Sequence, residues 1–96
     1  MAIRSFARRS VESFFETGKP PLKAGWAGIA KVVTRKLDLF DYAFELDDLR
    51  TPPGNRLEAL KGNLTGRHSI RVNDQWRVVF RWTPEGPAEV DVVDYH

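Results

Sequence analysis

Apolar positions follow two regimes along this chain. As far as residue 44 they recur every three or four residues, and from residue 57 they alternate. Val11, Phe14 and Phe15 predict a helix over 7–17. Gly18 is a natural stop, and Pro20-Pro21 forbids continuation. Trp26, Ile29, Ala30, Val33, Leu37, Phe40 and Phe44 predict a second helix from about residue 23 to 43, with one apolar stripe. On its polar side Arg35 and Asp38 are spaced for a weak pair. Asp38 and Asp41 fall near its C-terminal end, where the helix dipole disfavours acids. Residues 2–6 alternate in part and predict an edge strand. Residues 47–56 read as a loop, with a turn at Pro52-Pro53-Gly54-Asn55.

Beyond this loop, 57–60 predicts a short strand and 61–66 a turn-rich connection. His68, Ile70 and Val72 alternate with Arg67, Ser69 and Arg71. Trp76, Val78, Phe80 and Trp82 alternate with Arg77, Val79 and Arg81. Pro84-Glu85-Gly86-Pro87 turns the chain into a last strand carrying Val90, Val92 and Val93 and running to the C-terminus. Helices first and strands after is an α+β order, with helices on one face of a mainly antiparallel sheet. Without repeat or linker, 1–96 reads as a single domain.

The buried face selects the hairpin register. A two-residue loop at Asn73-Asp74 would put Ile70 opposite Arg77. A three-residue loop, 73–75, puts Val72 opposite Trp76, Ile70 opposite Val78 and His68 opposite Phe80, which keeps one face apolar. The other face then sets Arg71 opposite Arg77 and Arg67 opposite Arg81. Like charges directly opposite destabilise a sheet. Either a visiting anion such as phosphate supplies the counter-charge, or Glu89 and Asp91 of the last strand do. If Val78 pairs with Val92, Tyr95 falls opposite Gln75 on the arginine face, and Asp94 on the other.

Composition narrows the chemistry. No cysteine among the 96 residues excludes disulfides, thiolate catalysis and cysteine-based metal sites. His68 and His96 alone do not make a usual histidine metal site. No apolar run reaches the length of a membrane-spanning helix, and residues 1–9 lack a signal peptide's apolar block. These features predict a soluble, cytoplasmic protein. The net charge of +2 conceals blocks: residues 1–36 carry eight Lys/Arg against two Glu, 37–49 five acids, 50–82 seven bases against two acids, and 83–96 four acids. Arginine outnumbers lysine ten to five, which leans towards a phosphate-bearing or nucleic-acid partner. The plainer reading is a solvated surface of mixed charge. Trp76, Trp82 and His68 read as core residues. Asp94-Tyr95-His96 delivers an acid, a phenol and an imidazole together at the end of a strand.

Several segments resemble one family. They are Ile3-Arg4-Ser5-Phe6, the run from Arg50-Thr51-Pro52-Pro53-Gly54-Asn55-Arg56 to Leu57-Glu58-Ala59-Leu60-Lys61-Gly62, the hairpin Ser69-Ile70-Arg71-Val72-Asn73-Asp74-Gln75-Trp76-Arg77, and the closing Val93-Asp94-Tyr95-His96. Together they are similar to HigB, the plasmid-maintenance killer branch of the RelE-like bacterial toxins, over essentially the whole chain. The resemblance implies two N-terminal helices on one face of a small mixed sheet. It implies an endoribonuclease that cuts mRNA in the ribosomal A site and needs no metal or other cofactor. It implies a HigA-type helix-turn-helix antitoxin as partner, with operator DNA bound only through the complex. Residue by residue it assigns activity to Arg77 and to Asp94, Tyr95 and His96, and matches Lys61 to a characteristic lysine. Glu58 stands where some relatives carry histidine and is the candidate acid or base there.

In such a reaction the RNA 2′-hydroxyl attacks the adjacent phosphorus and expels the 5′-oxygen. Arg77, with Arg71 nearby, is the candidate for stabilising the phosphorane charge. Asp94, Tyr95, His96 and Glu58 are the candidates for proton transfer, with acid and base unassigned. Lys61, Arg67, Arg71 and Arg81 are the candidate RNA-binding residues. A non-catalytic module that docks on RNA or the ribosome and blocks translation is the alternative, and an interaction domain for an acidic partner is a third.

Overall fold

The computed structural model describes residues 1–94. Two helices, α1 (Arg9–Thr17) and α2 (Ala30–Tyr42), precede four strands: β1 (Glu58–Ala59), β2 (His68–Arg71), β3 (Trp76–Thr83) and β4 (Gly86–Asp94). The strands form one antiparallel sheet in the order β1-β2-β3-β4. Val11 and Phe14 of α1 and Val33, Leu37 and Phe40 of α2 share a core with Ile70, Val78, Phe80, Val90 and Val92 of the sheet. Phe40 meets Phe80 edge-on at 4.9 Å, a favoured aromatic geometry. Both helices therefore cover one face, as the order of periodicities predicts.

The second helix starts later than its stripe suggests. Pro21 to Ile29 runs in short turns, with Ala24 N–H bonded to Pro21 O, Ala27 to Ala24 and Ile29 to Trp26. Regular α-helix begins only at Ala30. Glycines at 25 and 28 weaken helix there. A Cβ on Gly25 would lie 2.6 Å from the Trp76 indole, so that ring occupies the space. Trp26 still reaches the core, against Phe14 at 4.8 Å. At the other end Ala43 is already extended. Phe44 therefore leaves the stripe and is 82% exposed, while Ala43 is buried. The Met1 amino group places a cation on the backbone carbonyls of this helix end. It donates to Phe40 O at 2.9 Å, to Asp41 O at 3.1 Å and to Ala43 O.

Residues 2–6 form no full strand. A single parallel bridge joins Phe6 to Val90, flanked by bonds from Arg4 N–H to Pro87 O and from Ala7 N–H to Val90 O. The cause lies in β4. Between the pairs Val79–Asp91 and Arg81–Ala88 β4 carries one residue more than β3, a bulge with Glu89 at φ 53 that twists the edge away from continuous pairing. Arg8 then reaches Asp91 through Nε at 2.9 and 3.1 Å and Val92 O through Nη2 at 3.1 Å.

Candidate functional site

The predicted hairpin register holds. His68 pairs with Phe80, Ile70 with Val78 and Arg71 with Arg77. The loop is fixed by the Asn73 side chain, whose Oδ1 accepts from Gln75 N–H and Trp76 N–H at 2.9 and 2.8 Å. Val78 pairs with Val92, so Val93 stands opposite Arg77 and Asp94 opposite Trp76. Asp94 thus lies on the helix-covered face, where Gln75 Nε2 donates to its Oδ2 at 3.0 Å. The expected placement of Tyr95 opposite Gln75, and the whole of His96, lie outside the described residues.

The opposed arginines do not wait for an external anion. Arg71 pairs with Asp74 through Nη2. Arg77 is 7% exposed and turns inward. Its Nε donates to Ser69 Oγ at 2.7 Å and its Nη2 to the Arg56 carbonyl at 2.6 Å, while Nη1 lies 3.8 Å from Glu58 Oε1. Register explains the convergence, because Glu58 pairs with Ser69 and Arg71 with Arg77 on one face. Glu58 also shares a shallow hollow with Lys61 and Leu64.

Arg67 and Arg81 do not continue the ladder. It ends at His68 and Phe80, and Arg81 pairs instead with Ala88. Both arginines meet Glu89, Arg81 Nε at 2.8 Å and Arg67 Nη2 at 3.7 Å. Of the two acids expected to neutralise the face, Glu89 does so, while Asp91 serves Arg8. This pair is four positions along β3 from Arg77, about 13 Å. The structure therefore brings together Arg77 and Glu58, sets Arg71 beside them, leaves Lys61 with Glu58 in the hollow beyond β1, and places Arg67 and Arg81 further along the sheet and Asp94 on its other face. His68 lies between sheet and core, stacked near Phe80 at 6.2 Å.

Three groups around Arg77 escaped sequence reasoning. Ser69 follows from register alone, since it falls on the arginine face. Asn55 reads as a turn former, yet its side chain is fully buried. Lys36 reads as a polar helix residue, yet its Nζ donates to Asn55 Oδ1 at 2.6 Å. Burial, then Arg35 and Arg71, hold its pKa below the ordinary 10.5. Arg56 stands at φ 46, ψ 58, a left-handed conformation costing a side-chain-bearing residue about 1 kcal/mol. That conformation accompanies the bond from its carbonyl to Arg77.

Among the described residues no three His, Cys, Asp or Glu side chains gather as metal ligands, and no helix is long and apolar enough to cross a membrane.

A model of the RelE-like toxins of the type II toxin–antitoxin system HigB matches residues 4–96. The chain is 42% identical over 91 residues to Toxin HigB-1 of Vibrio cholerae serotype O1, across 95% of this chain and 94% of that protein. The YoeB–YefM complex from Staphylococcus aureus contains a similar fold, with a TM-score of 0.62 at 20% identity over 100% of this chain and 97% of the other. The YoeB/ParE toxin from Agrobacterium tumefaciens gives 0.51 at 20% identity, over 100% and 99%.

Proposed function

Because the chain belongs to the HigB-like family of RelE-like type II toxins, we propose that it is a ribosome-dependent endoribonuclease cleaving mRNA in the A site. The observation that carries this reading is the guanidinium of Arg77. It is set in the sheet by Ser69 and the Arg56 carbonyl, with Glu58 beside it. A cation held in place before reaction stabilises developing charge without reorganising.

The 2′-hydroxyl attacks the neighbouring phosphorus, and the bond to the 5′-oxygen breaks. One proton leaves the 2′-oxygen for a base and another reaches the departing 5′-oxygen from an acid. Arg77 stabilises the phosphorane. Glu58, Tyr95 and His96 are the proton-transfer groups, and no metal takes part. Asp94, bonded to Gln75 on the other face, acts by holding the strand end. Lys61 and Arg71 bind the RNA close to the reacting phosphate, and Arg67 and Arg81 further along. So few catalytic groups suit an enzyme whose substrate is aligned by the ribosome.

A type II toxin is paired with an antitoxin. Here we assign a HigA-type helix-turn-helix protein, through which alone the toxin reaches operator DNA. The toxin acts in the cytoplasm as one domain over 1–96.

Mapping mRNA 5′ ends after induction tests the reading. Discrete new ends are expected with the wild type and none with Arg77→Ala. Arrested translation on intact mRNA would replace it with the non-catalytic blocker.

A further inference from the structure

The loop before β1 is fastened more elaborately than a turn requires. Asn55 Nδ2 donates to Leu49 O at 3.0 Å and Thr51 O at 3.3 Å, its Oδ1 accepts from Lys36 Nζ at 2.6 Å, and its backbone N–H donates to Pro52 O at 2.9 Å. One buried amide therefore joins α2, the short helical turn over Leu46–Arg50 and the proline-glycine loop. Burying a polar side chain is unfavourable unless every group finds a partner, and here the partners come from both sides of the loop. The next residue in the chain is Arg56, whose carbonyl takes the Arg77 Nη2 donor at 2.6 Å.

We propose that Asn55, acting through the carbonyl of Arg56, is a positioning residue for the Arg77 guanidinium. A planar guanidinium that donates from Nε to Ser69 Oγ and from Nη2 to the Arg56 carbonyl at 2.6 Å and the Ser69 carbonyl at 3.4 Å, with Nη1 3.8 Å from Glu58 Oε1, is oriented by acceptors of both the sheet and the loop. Ser69 belongs to the sheet ladder and stays with it. The Arg56 carbonyl belongs to a loop, and its place depends on what fastens that loop. Lys36 is the outer end of the fastening, on the helix side of the sheet. Misplacing a reacting group by about 1 Å can cost roughly a hundredfold in rate. A loosened loop therefore lowers turnover while leaving RNA affinity almost unchanged.

This inference rests on the catalytic reading of Arg77, and the experiment separates the two. Asn55→Asp keeps the size of the side chain and its contact with Lys36 but removes both amide donors. On mRNA bound to programmed ribosomes, kcat should fall roughly tenfold to a hundredfold with KM within about twofold. The Arg77 Nε–H resonance of the free protein, expected to be sharp and slow to exchange in the wild type because Nε is buried against Ser69 Oγ, should broaden in the variant. Should Asn55→Asp not fold, Lys36→Met removes the outer link alone, and kcat, KM and the same resonance are read on it. An unchanged kcat, or an unchanged resonance, would overturn the positioning role while Arg77→Ala remained inactive. Full cleavage by Arg77→Ala would overturn the catalytic reading and the positioning role together.

Discussion

Arg71 and Arg77 are direct partners across β2 and β3, yet their guanidinium groups part, one to Asp74 and the other to Ser69 and the Arg56 carbonyl. Their truncations should differ accordingly. Arg77→Ala strands the hydroxyl and carbonyl oxygens of Ser69 and the part-buried Arg56 carbonyl, and is expected to lower stability by about 1–3 kcal/mol. Arg71→Ala breaks a pair with a fully exposed acid and should change it by roughly 0.5 kcal/mol or less. Urea denaturation of the two variants checks this, and equal losses would show that the bonds of Arg77 contribute nothing beyond those of Arg71.

Tyr95→Phe removes one oxygen and keeps the ring. On the proposed chemistry it should reduce mRNA cleavage on ribosomes by about a hundredfold or more and leave the melting temperature unchanged. A full cleavage rate would move proton transfer to Glu58, Lys61 or His68.

Glu89 holds two arginines that are proposed to meet RNA. Glu89→Gln should release them, tightening binding to single-stranded RNA. It should also steepen the dependence of log affinity on log salt by about 0.7 for each further phosphate that the freed arginines neutralise. Filter binding across a salt series measures the slope. An unchanged slope would mean that Arg67 and Arg81 serve the bulge and not the RNA.

Lys36 carries a charge that its surroundings resist. Between its lowered pKa and the ordinary 10.5, the unfolded chain holds the Lys36 proton more firmly than the folded one. Its contribution to stability therefore rises with pH across that window. Below the lowered pKa the full penalty stays in place. Denaturation from pH 8 upward should show wild type gaining on Lys36→Met as the solution becomes alkaline. Parallel curves would refute the linkage.

Much of this site was legible because β-pairing has a period of two. Once Ile70 and Val78 had to share the buried face, Arg71 and Arg77 had to share the other, and Val92 placed Asp94 away from them. Ser69 followed from the same alternation. Helix limits were less legible, since apolar spacing persists through residues that do not form helix. Trp26 is buried from a turn, and Phe44 keeps the spacing after the helix has stopped. Asn55 was hidden for another reason. Asparagine after Pro-Gly is a common turn residue, and nothing local distinguishes one that is solvated from one that accepts a bond from a lysine nineteen positions earlier. The Glu89 bulge likewise depends on Ser5, whose Oγ accepts from Glu89 N–H at 2.9 Å.

The N-terminal segment laid along β4 also bears on how the protein behaves at high concentration. An uncovered strand edge is a template on which other copies can polymerise. On one side of this sheet the outermost strand is two residues long. On the other, Arg4 to Arg8 occupy backbone groups of Pro87, Val90 and Val92 and the Asp91 carboxylate. Proteolytic loss of those few residues would leave Arg77 untouched and still expose the β4 edge as a template for aggregation.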